Sequence, residues 1–300
     1  MANLRDIRNR ITSIKNTQQI TKAMKMVAAA KLRKAQQRMV VTRPYAKKMR
    51  NVVLRLVTDN NSTHPLLRQP EETRNVLLIV VGSDKGLCGG FNNNLFRLVE
   101  THIAEHLNDF HENGNLSLVT IGRKAGAYFK KRDYNVVESF PGFFDNFDYD
   151  ITSEIMEKAI SQFAYGEIDR VQLAFNEFKT VISQNRIISD ILPLKTDVME
   201  EENETPEGEH KEIADYIYEP DIDTILAKLL PVHLKLQLWR AVLESNASEQ
   251  GARMAAMDNA TENAKELEQE LSLKYNQARQ SAITTELSEI VSGAAALEGT

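Results

Sequence analysis

VHLKLQLWRAVLESNASEQGARMAAMDNATENAKELEQELSLKYNQARQSAITTELSEIVS (Val232–Ser292) contains no proline, and from Leu238 it is dominated by Ala, Glu, Gln, Leu, Met and Lys. These are the strongest helix formers. As one helix it would extend about 90 Å at ~1.5 Å per residue, far beyond the ~11–12 residues of an average helix. No core formed by a chain of 300 residues could bury it along its whole length. It therefore needs a partner, and the one other long proline-free helical stretch is Ala2–Arg43.

In that stretch Leu4, Ile7, Ile11, Ile14, Gln18 and Thr21 recur at 3-4-3-4-3 spacing, a heptad seam that turns polar as it proceeds. The apolar set then reads as Ile20, Met24, Val27/Ala28, Leu32, Ala35 and Met39, a slip of the seam around the helix. Lys31, Arg33, Lys34 and Arg38 should project outward, and Pro44 should kink or interrupt the helix before it resumes over Asn51–Val57.

Charge supports pairing of the two ends. Residues 1–50 carry fourteen Lys and Arg against Asp6 alone, whereas residues 241–300 carry ten acids against four bases. Opposite signs favour association of the ends with each other over self-association of either. A basic, acid-poor start also fits a transit peptide or a nucleic-acid arm. The helical pattern runs unbroken past any usual cleavage point, and neither alternative calls for a matching helix at the far end. A zipper-type nucleic-acid reader needs a clean heptad downstream of its basic region, and here the seam precedes and overlaps it.

Between the ends the hydrophobic period changes. After the turn-rich linker Asn60–Pro70, NVLLIVVGSD from Asn75 is a short apolar, β-branched run, as expected of a strand buried on both faces. Helix over Asn92–His111, strand Leu116–Gly122, helix Arg123–Arg132, strand Tyr134–Phe140, helix Ile151–Tyr165 and strand Arg170–Phe178 follow. Strand–helix alternation at these lengths predicts an open α/β sheet of Rossmann-like topology. Arg186–Leu194 reads as an edge strand, the acid-rich stretch 197–209 as a solvated loop, and Asp215–Asp221 as a short strand and turn. The expected fold is thus an α/β domain with a foot (70–220) inserted between helices 1–57 and 221–300, which pair as an antiparallel coiled coil.

Chemistry is hard to find. GSDKGLCGGFNNNL (Gly82–Leu95) follows a strand and opens a helix, where phosphate loops sit, but it matches neither GxxxxGK[ST] nor GxGxxG. No acid ends the second strand to hold a ribose, so a tight connection without ligand is the better reading. Cys88, the only cysteine, has no legible histidine partner and reads as a buried loop residue. His102 and His106, at i and i+4, could share a metal but lack an obvious third ligand. The acids at 197–209 lack the ligand spacing of a calcium loop. No catalytic residue, cofactor or metal is expected. The apolar end Ile290, Val291, Ala294–Ala296 and Leu297 outruns the N-terminal partner helix and reads as a contact surface.

Three blocks carry a specific resemblance: IRNRITSIKNTQQITKAMKMVAAAKLRKAQ (Ile7–Gln36), GSDKGLCGGFN (Gly82–Asn92), and ASEQGARMAAMDNATENA with ITTELSEIVSGAAAL near the C-terminus. In this order they resemble the γ subunits of F-type ATP synthases over essentially the whole chain, without the cysteine-containing insertion of the chloroplast form. The resemblance implies a rotor stalk standing inside a ring of α and β subunits, beside an ε subunit and on a membrane-embedded c ring. It places the chain peripherally on the cytoplasmic face of a bacterial plasma membrane, with catalysis left to β. It further implies that Arg279, Gln280 and Thr284 meet the β loop that catches the shaft, and that Met24, Lys22 and Lys25 face the mobile β segment. Ile290, Val291 and Leu297 would turn in the apolar sleeve of the ring, and Tyr216, Tyr218 and Glu219 would form the foot on the c ring. Lys25 departs from relatives that carry an acid there, a change that should strengthen attraction to an acidic β segment.

Overall fold

The computed structural model describes residues 4–58, 64–145, 147–181, 183–194 and 219–298. Ala30–Ala252 forms one compact unit, and the residues up to Ala29 form a second with those from Arg253 onward.

The larger unit is built on a five-stranded sheet of order β3-β2-β1-β4-β5. Its strands are β1 (Val76–Val81), β2 (Leu116–Ile121), β3 (Val136–Phe140), β4 (Arg170–Phe178) and β5 (Gln184–Leu192). The first four in chain order are parallel, and β5 lies antiparallel on β4 at the edge. The sequence VLLIVV makes β1 the centre, since all six residues are buried. Alternation then splits the core in two. Val76, Leu78 and Val80 face α2 (Phe91–His106) and α4 (Arg123–Lys130), packing on Leu95, Phe96, Val99 and Phe129. Leu77, Ile79 and Val81 face the other way. There they meet Ile155, Met156 and Phe163 of α5 (Tyr149–Ala164) and two long helices, α1 (Leu4–Thr58) and α6 (Ile222–Glu298). Val53 and Leu56 of α1, with Leu226, Leu230, Leu234 and Leu238 of α6, anchor these helices to the sheet. Each fully buried side chain of this kind contributes roughly 1.5–3 kcal/mol.

Several boundaries differ from the sequence reading. The predicted 92–111 helix breaks at Leu107 into α2 and a short α3 (Asn108–Glu112). Pro44 does not interrupt α1, which runs through it to Thr58, whereas α6 starts at Ile222 and passes through Pro231, in keeping with the helix expected from 221. Proline at 44 removes one bond to the carbonyl four residues back. That carbonyl belongs to Val40, which is exposed, so water can replace the missing donor. The acidic stretch 197–209 lies outside the described residues, as does 215–218 of the strand and turn expected over Asp215–Asp221.

The seam does not slip. Along α1 the less exposed positions continue from Gln18 and Thr21 to Lys25, Ala28, Leu32, Ala35 and Met39, an unbroken 3-4 heptad. Ile20 and Val27, assigned to the seam by their apolarity, are 59% and 56% exposed instead. Lys25 takes the place that an apolar residue would fill. On α6 the matching heptad runs Leu243, Ala247, Gln250, Met254, Met257, Thr261, Ala264, Glu268 and Leu271. Both helices therefore keep the 3.5-residue period that winds a pair left-handedly.

In the smaller unit Lys15 pairs with Glu268 (3.3 Å), Thr21 with Thr261 (2.7 Å) and Lys25 with Asp258 (2.5 Å). Rising numbers on one helix meet falling numbers on the other, so the pairing is antiparallel. In the larger unit Leu32, Ala35 and Met39 pack with Leu243 and Ala247, and Arg43 approaches Glu244 at 3.9 Å, again antiparallel. Among the described residues no helix is long and apolar enough to cross a membrane.

Candidate functional site

Two kinds of place could act on another molecule: the loops at the C-terminal ends of the parallel strands, and the outward surface of the helix pair. The loops are closed. The Asp84 carboxylate is buried and accepts from three backbone N–H groups, those of Arg123 (2.8 Å), Gly142 (2.7 Å) and Phe144 (2.8 Å). An anion bound at the start of α4 would need those donors; the chain's own carboxylate already holds them. Asn92 reaches back to accept from the Ser83 N–H at 3.0 Å. Gly122, at φ +98°, lies so close to Gly82 that an added Cβ would meet the Gly82 carbonyl oxygen at 2.8 Å. Lys85 leaves this loop and pairs with Asp145 at 2.8 Å, holding that carboxyl below its ordinary range.

The crevice between β1 and β4, where strand order reverses and ligands of open α/β sheets bind, is filled by α6. Ser245 donates to the Val81 carbonyl (3.4 Å) and Ser248 to the Asn176 carbonyl (3.1 Å). At Gly251 an added Cβ would lie 3.3 Å from the Val181 carbonyl. The glycine-rich stretch is thus a tight connection, as its failure to match phosphate motifs suggested. Asp84 and the two serines escaped the sequence reading. An acid two residues after a buried strand and beside glycines was the available signal for Asp84; nothing short of the fold marks the serines.

His102 is engaged with a strand side chain. Its Nε2 is 3.0 Å from Gln172 Oε1, and the Gln172 amide donates to Asp190 at 2.9 Å. Among the described residues no group of three or more His, Cys, Asp or Glu could hold a metal ion. Cys88 is buried.

The outward helix surface is where the sequence-derived contact residues stand. Lys22 is exposed, Met24 is half-buried, and the Lys25 ammonium donates to Asp258. Lys22 and Lys25 line one groove with Gln18, Gln19, Met26, Asp258 and Thr261. Arg279, Gln280 and Thr284 are exposed on α6, roughly six turns beyond Asp258 at ~3.6 residues per turn. The Thr284 hydroxyl is turned to the Gln280 carbonyl of its own helix at 2.9 Å. From Ile283 to Ala294 every residue of α6 is exposed, with Ile290 at 67% and Val291 at 66%. Ile283, Leu287, Ile290 and Ala294 follow 4-3-4 spacing and form one uncovered stripe. Leu297 lies in α6, and its side chain is outside the described ones. Of the foot, Glu219 is exposed; Tyr216 and Tyr218 lie outside the described residues.

Residues 3–297 match the family described as ATP synthase. The ATP synthase gamma chain of Prosthecochloris aestuarii is 48% identical over 302 residues, covering 100% of both chains. That of Salinibacter ruber is 48% identical over 305 residues, with 99% of each chain covered. Among solved structures, a chain of the Euglena gracilis mitochondrial ATP synthase (OSCP/F1/c-ring) superposes with a TM-score of 0.68 at 22% identity, covering 98% of this chain and 94% of that one. A chain of the Tetrahymena thermophila mitochondrial ATP synthase central stalk and c ring gives 0.57 at 24% identity, covering 80% and 99%. At these identities the two structures speak for the fold.

Proposed function

This chain belongs to the ATP synthase γ-chain family, and from this premise we propose that it is the central rotor stalk of that machine and that its residues divide the work as follows. The antiparallel pairing of residues up to Ala29 with those from Arg253 is the observation that carries the reading, because two helices tied by Lys15–Glu268, Thr21–Thr261 and Lys25–Asp258 transmit torque as one body. A shaft changes nucleotide affinity at surrounding β subunits only through contacts that differ among their conformations. Its surface must therefore be lopsided, and a basic helix wound on an acidic one is. A tenfold change in affinity at one β site needs about 1.4 kcal/mol of differential contact, within reach of a few charge-assisted hydrogen bonds.

In this reading Arg279, Gln280 and Thr284 meet the catching loop of β, and Lys22, Met24 and Lys25 meet its mobile segment. Lys25 acts while tied to Asp258, so its charge is shared between shaft and β. Ile290, Val291 and Leu297 turn in the apolar sleeve of the α/β ring. Glu219, with Tyr216 and Tyr218, rests on the c ring beside ε. The chain itself holds no cofactor and makes no bond; β sites form ATP from ADP and phosphate as proton flow turns the ring. It sits peripherally on the cytoplasmic face of a bacterial plasma membrane, touching the bilayer only through the c ring.

Purification of the tagged chain from membranes tests this. A hexameric ATPase should co-elute, and Arg279→Ala should lower its ATP hydrolysis; a chain that never associates with an ATPase ring would overturn the reading.

A further inference from the structure

Between the β4–β5 edge of the sheet and the two long helices lies a cavity of about 390 Å³, within the ~300–1,000 Å³ typical of small-molecule sites. All of it belongs to the larger unit. Leu173, Phe175 and Ile187 give it an apolar floor, and Arg50 of α1 with His233 and Gln237 of α6 supply other walls. Ser189, also in the lining, pairs with Leu173 across the β4–β5 ladder. Directly paired residues share one face of a sheet, so the serine stands on the cavity side. The charges around the cavity are already matched. Arg240 reaches Glu244 at 3.1 Å and Glu177 at 4.0 Å, and Asp190 takes Arg170 at 3.6 Å. An ionised ligand would have to break one of these pairs or go unpaired, and either is costly.

The neutral polar groups are not matched. Gln237 Nε2 lies 2.8 Å from His233 Nε2. Of these two nitrogens only the amide can donate to the other, so the ring carries its proton on Nδ1. Burial, followed by the Arg50 charge, keeps the ring uncharged by lowering its pKa to about 4. His233 is 2% exposed, and among the described residues Nδ1 has no partner, so a buried N–H is left without an acceptor. Native proteins rarely keep such a group. Among the described residues the Ser189 hydroxyl and Gln237 Oε1 hold no hydrogen bond either. We propose that this cavity binds a small uncharged molecule built of an apolar ring and a carboxamide or carbonyl head, whose oxygen accepts from His233 Nδ1. A ligand seated there touches the sheet and both long helices at once, and it tightens that joint by binding only the folded chain. The inference stands apart from the stalk reading.

The probe is para-fluorobenzamide, titrated into the full-length chain and followed by fluorine NMR. Its dissociation constant should fall in the low millimolar range, as befits so small a fragment. The Nδ1–H signal of isotope-labelled His233 should move while those of the other histidines stay. His233→Phe removes the donor and keeps a ring, and Ser189→Leu fills the cavity from the sheet side. Each should weaken binding about tenfold or more. His106→Phe, at an exposed helix position, should leave it unchanged. Absence of binding up to the solubility of the probe would overturn the inference. So would binding that both cavity variants retain, or binding that leaves the His233 signal in place. Should one cavity variant fail to fold, the other and the His233 signal of the native chain decide.

Discussion

Asp84 and His233 show how single residues set the behaviour of the α/β unit. Asp84 satisfies three backbone donors that belong to the loops after β2 and β3. Removing it strands those N–H groups in a buried place, at ~1–3 kcal/mol for each group left unpaired. Asp84→Ala should therefore lower the unfolding free energy by about 3 kcal/mol or more in urea titration. Asp84→Asn, which keeps one acceptor oxygen, should lose roughly half of that. His233 is 2% exposed, and its Nδ1 lacks a partner while Nε2 lies 2.8 Å from the Gln237 amide nitrogen. Burial, with help from the Arg50 charge, lowers its pKa from 6.5 to about 4. Between these values the unfolded chain takes up a proton that the folded chain refuses. Stability should consequently be unaffected by this residue above pH 6.5 and fall as pH drops from 6.5 to about 4. At ~1.4 kcal/mol per pH unit the loss approaches roughly 3 kcal/mol. The charged neighbours lining the same cavity are Arg50, Glu177, Asp190 and Arg240, and the acids would soften the drop. Melting temperature against pH for the native chain and His233→Leu measures it: the native curve should fall more steeply below pH 6.5, and parallel curves would refute the assignment.

At the scale of elements, period was a better guide than composition. The buried strand VLLIVV, the strand–helix alternation and both long helices were legible because each carries a strong, local hydrophobic signal. The seam of α1 was misread where its local signal failed. Thr21, the last residue of the first seam, and Lys25 keep the heptad going where apolarity steps aside to Ile20 and Met24. They do so because Thr21 finds Thr261 and Lys25 finds Asp258, partners some 240 residues away that no window on α1 contains. Polar residues at seam positions fix register at some cost in stability. Pro44 fails to break α1 for a related reason: packing of Val53 and Leu56 on the sheet holds the helix through it, against local propensity. The missing hydrogen bond still has its cost. Pro44→Ala should restore it and raise stability by about 1–3 kcal/mol in urea unfolding. An unchanged midpoint would mean that the helix gains nothing from that donor.

Across the whole chain, the charge imbalance and the uncovered end of α6 are what the stalk has to offer its surroundings. The contact residues proposed above rest on resemblance alone: Arg279, Gln280 and Thr284 are plain exposed helix positions here, and nothing in their own surroundings marks them. The same reasoning bounds what the tip can do. Ile283, Leu287, Ile290 and Val291 are exposed, and in the proposed sleeve they would spread their apolar surface over many small contacts, each worth only ~0.1–0.2 kcal/mol. Deleting residues 294–300 leaves all four of these side chains in place. ATP hydrolysis by the purified complex should then fall by no more than roughly twofold, a change of ~0.4 kcal/mol on the scale where ~1.4 kcal/mol is tenfold. Deleting residues 283–300 strips the whole stripe, and assembly should become sensitive to temperature, since hydrophobic burial at the tip is removed as a block. Loss of assembly on the shorter deletion would show that a few terminal residues, and not a distributed apolar surface, seat the shaft.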